Sequence, residues 1–82
     1  MMHIYSTDML ATALRDQRKR AQITQSTLAE HTGLKQATIS ALENQPDGTK
    51  LETLFKLLSA LDLELHLVPK AANKTTGWEQ EW

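Results

Sequence analysis

Apolar residues recur with helical spacing in the middle of the chain. Between residues 24 and 44 they fall into two short runs, at Leu28, Ala29, Leu34, Ala37, Ile39 and Leu42. The runs are separated by residues 32–35, which include Gly33. Glycine suits a tight turn between helices because it adopts positive φ without the steric cost of a Cβ atom. The pattern therefore predicts a helix with Thr24 as its N-cap, a turn and a second helix.

A further helix is predicted on each side of this segment. Upstream, Ser6 and Asp8 are typical of a helix start, where a hydroxyl accepts free backbone N–H groups and a carboxylate favours the dipole. The apolar stripe of this first helix is Leu10, Ala13 and Leu14. Downstream, Thr49 and Glu52 have the spacing of a capping box. The stripe of the helix that follows is Leu51, Leu54, Phe55, Leu58 and Leu61.

After this last helix the period changes from helical to alternating. Leucine alternates with polar residues from 63 to 67, Val68 follows, and Pro69 stops the run, which predicts one strand. A single strand in a helical monomer would leave its edge unpaired. Pairing with the same strand of a second copy satisfies both edges by two-fold symmetry. We therefore predict a mainly all-α domain of four or five short helices, with one C-terminal β-strand that pairs across a homodimer through Leu63, Leu65 and Leu67.

The end of the chain has a different composition. Residues 70–82 show no period and several small polar residues, so the domain is predicted to span residues 1–69 and to be followed by a flexible tail. The tail carries Trp78 and Trp82. Tryptophan is among the residues most enriched in binding hot spots, so Trp82 is a candidate anchor for a partner. A tag or cloning remnant is the alternative interpretation.

Composition narrows the functional classes. The chain has 82 residues, a size at which one core is marginal and a second subunit is expected to help. There is no cysteine, which excludes disulfides, thiolate metal sites and cysteine nucleophiles. His3, His31 and His66 lack the spacing of metal ligands. No nucleophile–base pair or phosphate-binding glycine loop is present, so we predict neither a metal, nor a cofactor, nor an enzyme.

Charge and hydropathy bear on the partners and the location. The net charge is −1, but residues 1–50 hold six Lys and Arg against five Asp and Glu, whereas residues 51–82 hold three against five. The first helix ends in a basic group, Arg15, Arg18, Lys19 and Arg20. This group suits either a phosphate backbone or a solvated helix end. Neither a long apolar run nor a signal-peptide layout is visible, which predicts a cytoplasmic protein without a membrane partner.

The central segment resembles the helix-turn-helix of the lambda-repressor and Cro class. Counted from Gln25, the small Ala29 is fifth and Gly33 is ninth, while Ile39 and Leu42 are fifteenth and eighteenth, as in that class. The resemblance implies that the second helix enters the major groove of DNA. Its implied DNA-facing residues are Lys35, Gln36, Ala37, Thr38 and Ser40, with Gln25 and Ser26 near phosphates. It also implies a bond between Gln25 and Gln36, with Gln36 reading an adenine.

The chain as a whole resembles the HipB-type antitoxins, which are autorepressors paired with HipA serine/threonine kinase toxins. The residues that carry this resemblance are Ile4 to Ser6, Thr24 to Ser26, Lys35 to Ser40, Glu43-Asn44, Pro46-Asp47 and Glu81-Trp82. The resemblance implies a homodimer that binds double-stranded operator DNA, represses its own operon and restrains a HipA-type toxin, with Trp82 on the toxin. The alternative is a stand-alone phage-type or metabolic repressor, which shares every DNA-binding feature.

Overall fold

The four predicted helices form within residues 3–70, the part of the chain that the computed structural model describes. Their bounds are α1 Thr7–Arg20, α2 Gln25–Thr32, α3 Gln36–Asn44 and α4 Leu51–Ala60. Helix α3 packs against both α1 and α2, and α4 packs against α2. The all-α class and the helix-turn-helix are confirmed. The predictions for the tail, including those for Trp78 and Trp82, concern residues outside the described range.

The starts of α1 and α2 and the turn after α2 form as predicted. The Ser6 hydroxyl accepts a 3.1 Å bond from the N–H of Met9, and the Thr24 hydroxyl accepts a 3.0 Å bond from the N–H of Thr27. Gly33 ends α2 in the left-handed region, with φ +75. These contacts satisfy backbone groups that each helix end would otherwise leave free.

The start of α4 differs from its prediction. The helix begins at Leu51 with Lys50 as its N-cap, and no side chain caps it. Thr49 lies one position before this N-cap. Its N–H, which Glu52 would have to bind in a capping box, instead donates a 3.0 Å bond to the carbonyl of Pro46 in the preceding turn. The predicted capping box between Thr49 and Glu52 is therefore wrong.

Helices α1 and α4 end in the same way, although neither has a glycine there. The N–H of Gln22 bonds to the carbonyl of Lys19, and the N–H of Ile23 bonds to that of Arg18. This is the Schellman pattern, and it places Gln22 at φ 60. At the end of α4 Asp62 occupies the same position, with φ 61. The motif turns the chain so that Leu63, the next residue, packs against the core.

The core lies where the inner faces of the four helices meet. Its buried members are Leu14, Leu28, Ile39, Leu42, Leu54, Leu57, Leu58 and Leu61. On α4 the stripe is shifted from its predicted position: Leu57 belongs to it, while Leu51 and Phe55 are 71% and 52% exposed. The three buried residues of α4, together with its buried C-cap Leu61, follow the i, i+3, i+4, i+7 spacing of one face, and Leu51 and Phe55 lie at its edge. On α1, Ala11 is buried, whereas Leu10 and Ala13 are only partly so.

The segment predicted as a strand has no regular secondary structure in this single copy. Leu65 is 50% exposed and Leu67 is 90% exposed, so the described residues leave half of the first leucine and most of the second uncovered. On the alternate positions, Glu64 and His66 are joined by a 2.8 Å contact between Oε2 and Nε2. A strand partner would have to come from a second copy, so strand pairing across a homodimer stays a prediction.

Candidate DNA-binding surface

Helix α3 has one buried side and one free side. Ile39, Leu42 and Glu43 are buried against the other helices. The residues predicted to face DNA lie on the free side: Lys35, Gln36 and Ala37 are exposed, and Thr38 and Ser40 are partly exposed. A short polar and small set of this kind fits a helix that enters the major groove.

The first turn of α3 leaves backbone donors available. Lys35 is the N-cap in extended conformation, and its side chain makes no capping bond. The N–H of Thr38 donates a 2.9 Å hydrogen bond to the carbonyl of Lys35. The N–H groups without a partner in this turn are therefore those of Gln36 and Ala37. Together with the Lys35 ammonium group, this positive end of the helix dipole favours an anion.

The Ser40 hydroxyl is already held by a neighbour. Asn44 Nδ2 donates to the Ser40 carbonyl at 2.9 Å and to the Ser40 hydroxyl oxygen at 3.3 Å. The hydroxyl therefore acts as an acceptor toward Asn44, which leaves its own proton for a donor role. Ser40 can present a hydrogen-bond donor at the free side of α3.

An open groove of about 500 Å³ runs beside α3, between its free side and the start of α4. Its lining includes Ala37 and Thr38 from α3, and Lys50 from the loop that precedes α4. Lys50 was not among the residues predicted to face DNA. The available signal was a lysine directly after the turn that ends the predicted recognition helix. The groove places this cation beside the predicted DNA-facing residues.

At the start of α2 the structure corrects one expectation. Ser26 is exposed, but Gln25 is partly buried, and its Nε2 donates a 3.0 Å bond to Oε1 of Glu43. The bond between Gln25 and Gln36 implied by the family resemblance is not formed in the described residues. The amide of Gln25 instead turns inward, because a carboxylate is the stronger acceptor.

Glu43 also forms a buried ion pair with Arg18. Nε of Arg18 lies 2.6 Å from Oε2 of Glu43, and Nη2 lies 2.9 Å from Oε1. The guanidinium group also donates from Nη1 to the carbonyl of Ile23 at 2.9 Å. Both ionic residues are only 8% exposed. The pair joins the last turns of α1 and α3 to the loop before α2.

This pair corrects the prediction for the basic end of α1. Arg18 is neither a phosphate contact nor a solvated residue, while Lys19 and Arg20 are exposed. The signal was present in the spacing, since Ala11, Leu14 and Arg18 follow the i, i+3, i+7 pattern of one face. An arginine on an apolar face indicates a buried partner, because an unpaired buried charge is costly.

The ionic character of the pair follows from its hydrogen bonds. Burial alone would raise the pKa of Glu43, but the bonds from Arg18 and Gln25 and the positive charges of Arg18 and Arg15 outweigh it. The pKa of Glu43 therefore lies below its ordinary value of 4.5. The hydrogen bond to Glu43 raises the pKa of Arg18 despite the opposing effect of burial. Both groups are charged at neutral pH.

Other kinds of site find little support in residues 3–70. Within that range no group of three or more His, Cys, Asp or Glu side chains could hold a metal ion. None of the described helices combines the length and apolar character needed to cross a bilayer. The free side of α3 with the adjoining groove is accordingly the candidate functional site.

Comparison with known proteins agrees with this geometry. A family model described as helix-turn-helix matches residues 14–68. The chain is 50% identical to the antitoxin HipB of Escherichia coli (strain K12) over 78 residues, which cover 95% of this chain and 89% of the relative.

Solved structures that contain HipB share the fold. A HipB variant in complex with an O2 20mer superposes with a TM-score of 0.82 at 45% sequence identity, covering 84% of this chain and 96% of that one. A HipA–HipB–O2–O3 complex contains a chain that superposes with a TM-score of 0.81 at 46% identity, covering 84% of this chain and 97% of that one. The chain belongs to the HipB family of helix-turn-helix antitoxins.

Proposed function

We propose that this protein is a DNA-binding antitoxin that represses its own operon as a dimer and restrains a HipA-type serine/threonine kinase toxin. The observation that carries the proposal is the free side of α3, whose small and polar residues project from a fold that superposes on HipB in its DNA complex with a TM-score of 0.82. We further propose that it acts in the cytoplasm on the nucleoid and has no catalytic activity.

On DNA, base contacts and phosphate contacts have separate roles. Gln36, exposed in the first turn of α3, is suited to a bidentate contact with an adenine, and the Ala37 methyl group to contact with a thymine methyl. Thr38 and Ser40 add hydroxyl groups at the same face. Lys35, Ser26 and Lys50 would bind phosphates, which fix the orientation of the helix without reading sequence. Gln25 lies beside Ser26 at the start of α2, and its carbonyl oxygen and second N–H are not used by the bond to Glu43.

Dimerisation brings two such helices to one operator. We propose that Leu63, Leu65 and Leu67 pair with the same residues of a second copy, because Leu65 and Leu67 are large apolar side chains left 50% and 90% exposed in one copy. The two α3 helices would then reach half-sites about one helical turn, roughly 34 Å, apart. A palindromic operator is the expected target.

Toxin restraint is proposed from the family and from the terminal tryptophan. The related HipB is present with HipA in one DNA complex. In this chain we assign the toxin contact to Trp82, because tryptophan is a frequent binding hot spot and the surrounding sequence is polar. A partner bound through the end of the chain would leave α3 free for DNA.

Two experiments on the full chain test the function. Footprinting on the DNA upstream of its own gene should show protection of a palindromic site. Co-expression with the product of the adjacent gene should yield a stable complex and relieve toxicity of that product. Protection of the site without capture of a toxin would favour the stand-alone repressor instead. No protection at micromolar protein would contradict DNA binding altogether.

A further inference from the structure

Glu43 joins the buried ion pair to the candidate DNA-binding surface. Oε2 of its carboxylate accepts a hydrogen bond from Nε of Arg18, and Oε1 accepts hydrogen bonds from Nη2 of Arg18 and from Nε2 of Gln25. The side chains of Arg18 and Glu43 are 10% and 4% exposed, so this arrangement is shielded from water. A carboxylate held at both oxygens in a fixed fork has little freedom to rotate.

The carboxylate dictates how the Gln25 amide is oriented. An ionised carboxylate only accepts hydrogen bonds, so the nitrogen of Gln25, not the oxygen, must face Glu43. One N–H then remains free, together with the carbonyl oxygen. A glutamine without such a partner samples its last torsion broadly. Glu43 therefore selects one amide orientation at the first residue of α2.

We propose that Glu43, held in place by Arg18, is a positioning residue for operator binding that acts through Gln25. The inference rests on the proposed DNA-binding function. The carbonyl oxygen and second N–H of Gln25 would already be oriented when they contact the DNA. Binding would then not lose the conformational entropy of ordering this side chain. An amide of fixed orientation would raise operator affinity about fivefold over a free one.

A purely structural role predicts something different. If the pair only holds α1 against α3, its loss would displace the recognition helix and weaken operator binding whether or not residue 25 carries an amide. If Glu43 acts through Gln25, its loss would have no effect once the amide is absent. A double-mutant cycle separates the two roles.

The experiment measures the affinity of the full chain for the duplex defined by footprinting, by fluorescence anisotropy at fixed salt. The variants are Gln25→Ala and the double substitution Arg18→Met/Glu43→Leu, and the double substitution is also made together with Gln25→Ala. The apolar replacement guards against unfolding, because well-packed hydrophobic residues often replace a buried ion pair without loss of stability. Thermal melts verify the fold of each variant.

We expect Gln25→Ala and Arg18→Met/Glu43→Leu each to weaken binding about fivefold. When Gln25→Ala is already present, adding Arg18→Met/Glu43→Leu should reduce operator affinity less than twofold. A loss of equal size in both backgrounds, or no loss while Gln25 is present, would overturn the proposal and leave the proposed function intact. A wild-type chain that protects no DNA would overturn the proposed function, and the role of Glu43 with it.

Discussion

Nε2 of Gln25 donates a 3.0 Å hydrogen bond to Oε1 of Glu43, which joins the first residue of α2 to the last turn of α3. The same carboxylate binds Arg18 from α1. Three helices therefore meet at one buried anion. The contact links the two helices of the motif beside the leucine core and holds the Gln25 amide in one orientation.

The ion pair predicts a dependence of stability on pH. Because the pKa of Glu43 is lowered in the folded state, the folded protein binds fewer protons than the unfolded chain near that pH. The carboxylate therefore contributes stability above the ordinary value of 4.5, and this contribution is lost as the pH falls through the folded pKa.

At pH 7 we expect Glu43→Gln to cost about 3 kcal/mol, because it leaves Arg18 buried without a counter-ion. The difference in the free energy of unfolding between Glu43→Gln and wild type should become smaller as the pH falls below 4.5, the ordinary pKa of the Glu43 carboxyl group. Urea unfolding between pH 3 and pH 7 measures both curves, with the exposed Glu52→Gln as the control. A gap that stays constant across this range would show that Glu43 is not responsible for the pH dependence.

The left-handed position after α1 offers a stabilising change. Gln22 has φ 60, a conformation that costs a residue with a side chain about 1 to 2 kcal/mol. Glycine avoids this cost, although the added freedom of the unfolded chain offsets part of the gain. We expect Gln22→Gly to raise stability by about 0.5 to 1 kcal/mol. Calorimetric melting should show a higher Tm, and Gln22→Ala, which keeps the strain, should not.

The leucine-containing segment of residues 63–68, which follows α4, is predicted to form the dimer contact. In Leu65→Asp a carboxylate would be desolvated in the paired leucine face, so the dimer should dissociate. Operator affinity should fall as well, because one subunit reads only one half-site. Sedimentation at micromolar concentration measures the dimer, and His66→Asp, on the opposite face, is the control. A Leu65→Asp variant that sediments as a dimer would remove this segment from the interface.

The terminal tryptophan is predicted to bind the toxin. Truncation of an anchor of this kind commonly costs about 2 kcal/mol or more, or roughly thirtyfold in affinity. Calorimetry with the toxin should show this loss for Trp82→Ala, while operator affinity stays unchanged. Trp78→Ala is the matched comparison within the same segment. Equal affinities for both variants and wild type would rule out a tryptophan anchor, and a loss confined to Trp78→Ala would assign the contact to the other indole.

Much of the fold was predictable from local patterns. Apolar spacing and the caps at Ser6 and Thr24 located the helices, because these signals act within one turn. Leu51 and Phe55 were misassigned because the stripe of α4 is set by which face meets α2, which is long-range information. The Schellman ends were missed because Gln22 and Asp62 are not glycine.

The candidate site divides in the same way. The free side of α3 could be predicted, since fixed offsets from Gln25 determine which residues face outward. The cluster around Glu43 could not be predicted, because it joins residues from three helices. Arg18 and Glu43 alone are 25 positions apart in the sequence. Family resemblance suggested Gln36 as the partner of Gln25, and a nearby carboxylate takes that place in the structure.

The central claim is that α3 reads the operator, and a comparison of Gln36→Ala with Lys35→Ala tests it most directly. Affinities are measured for the footprinted duplex and for a random duplex over a range of salt. Gln36→Ala should weaken operator binding by about 1 to 3 kcal/mol with little effect on random DNA. Lys35→Ala should weaken binding to the operator and to random DNA alike, and it should reduce the slope of log affinity against log salt concentration by about one. An unchanged ratio of operator to random affinity in Gln36→Ala would contradict the assignment of α3 as the recognition helix.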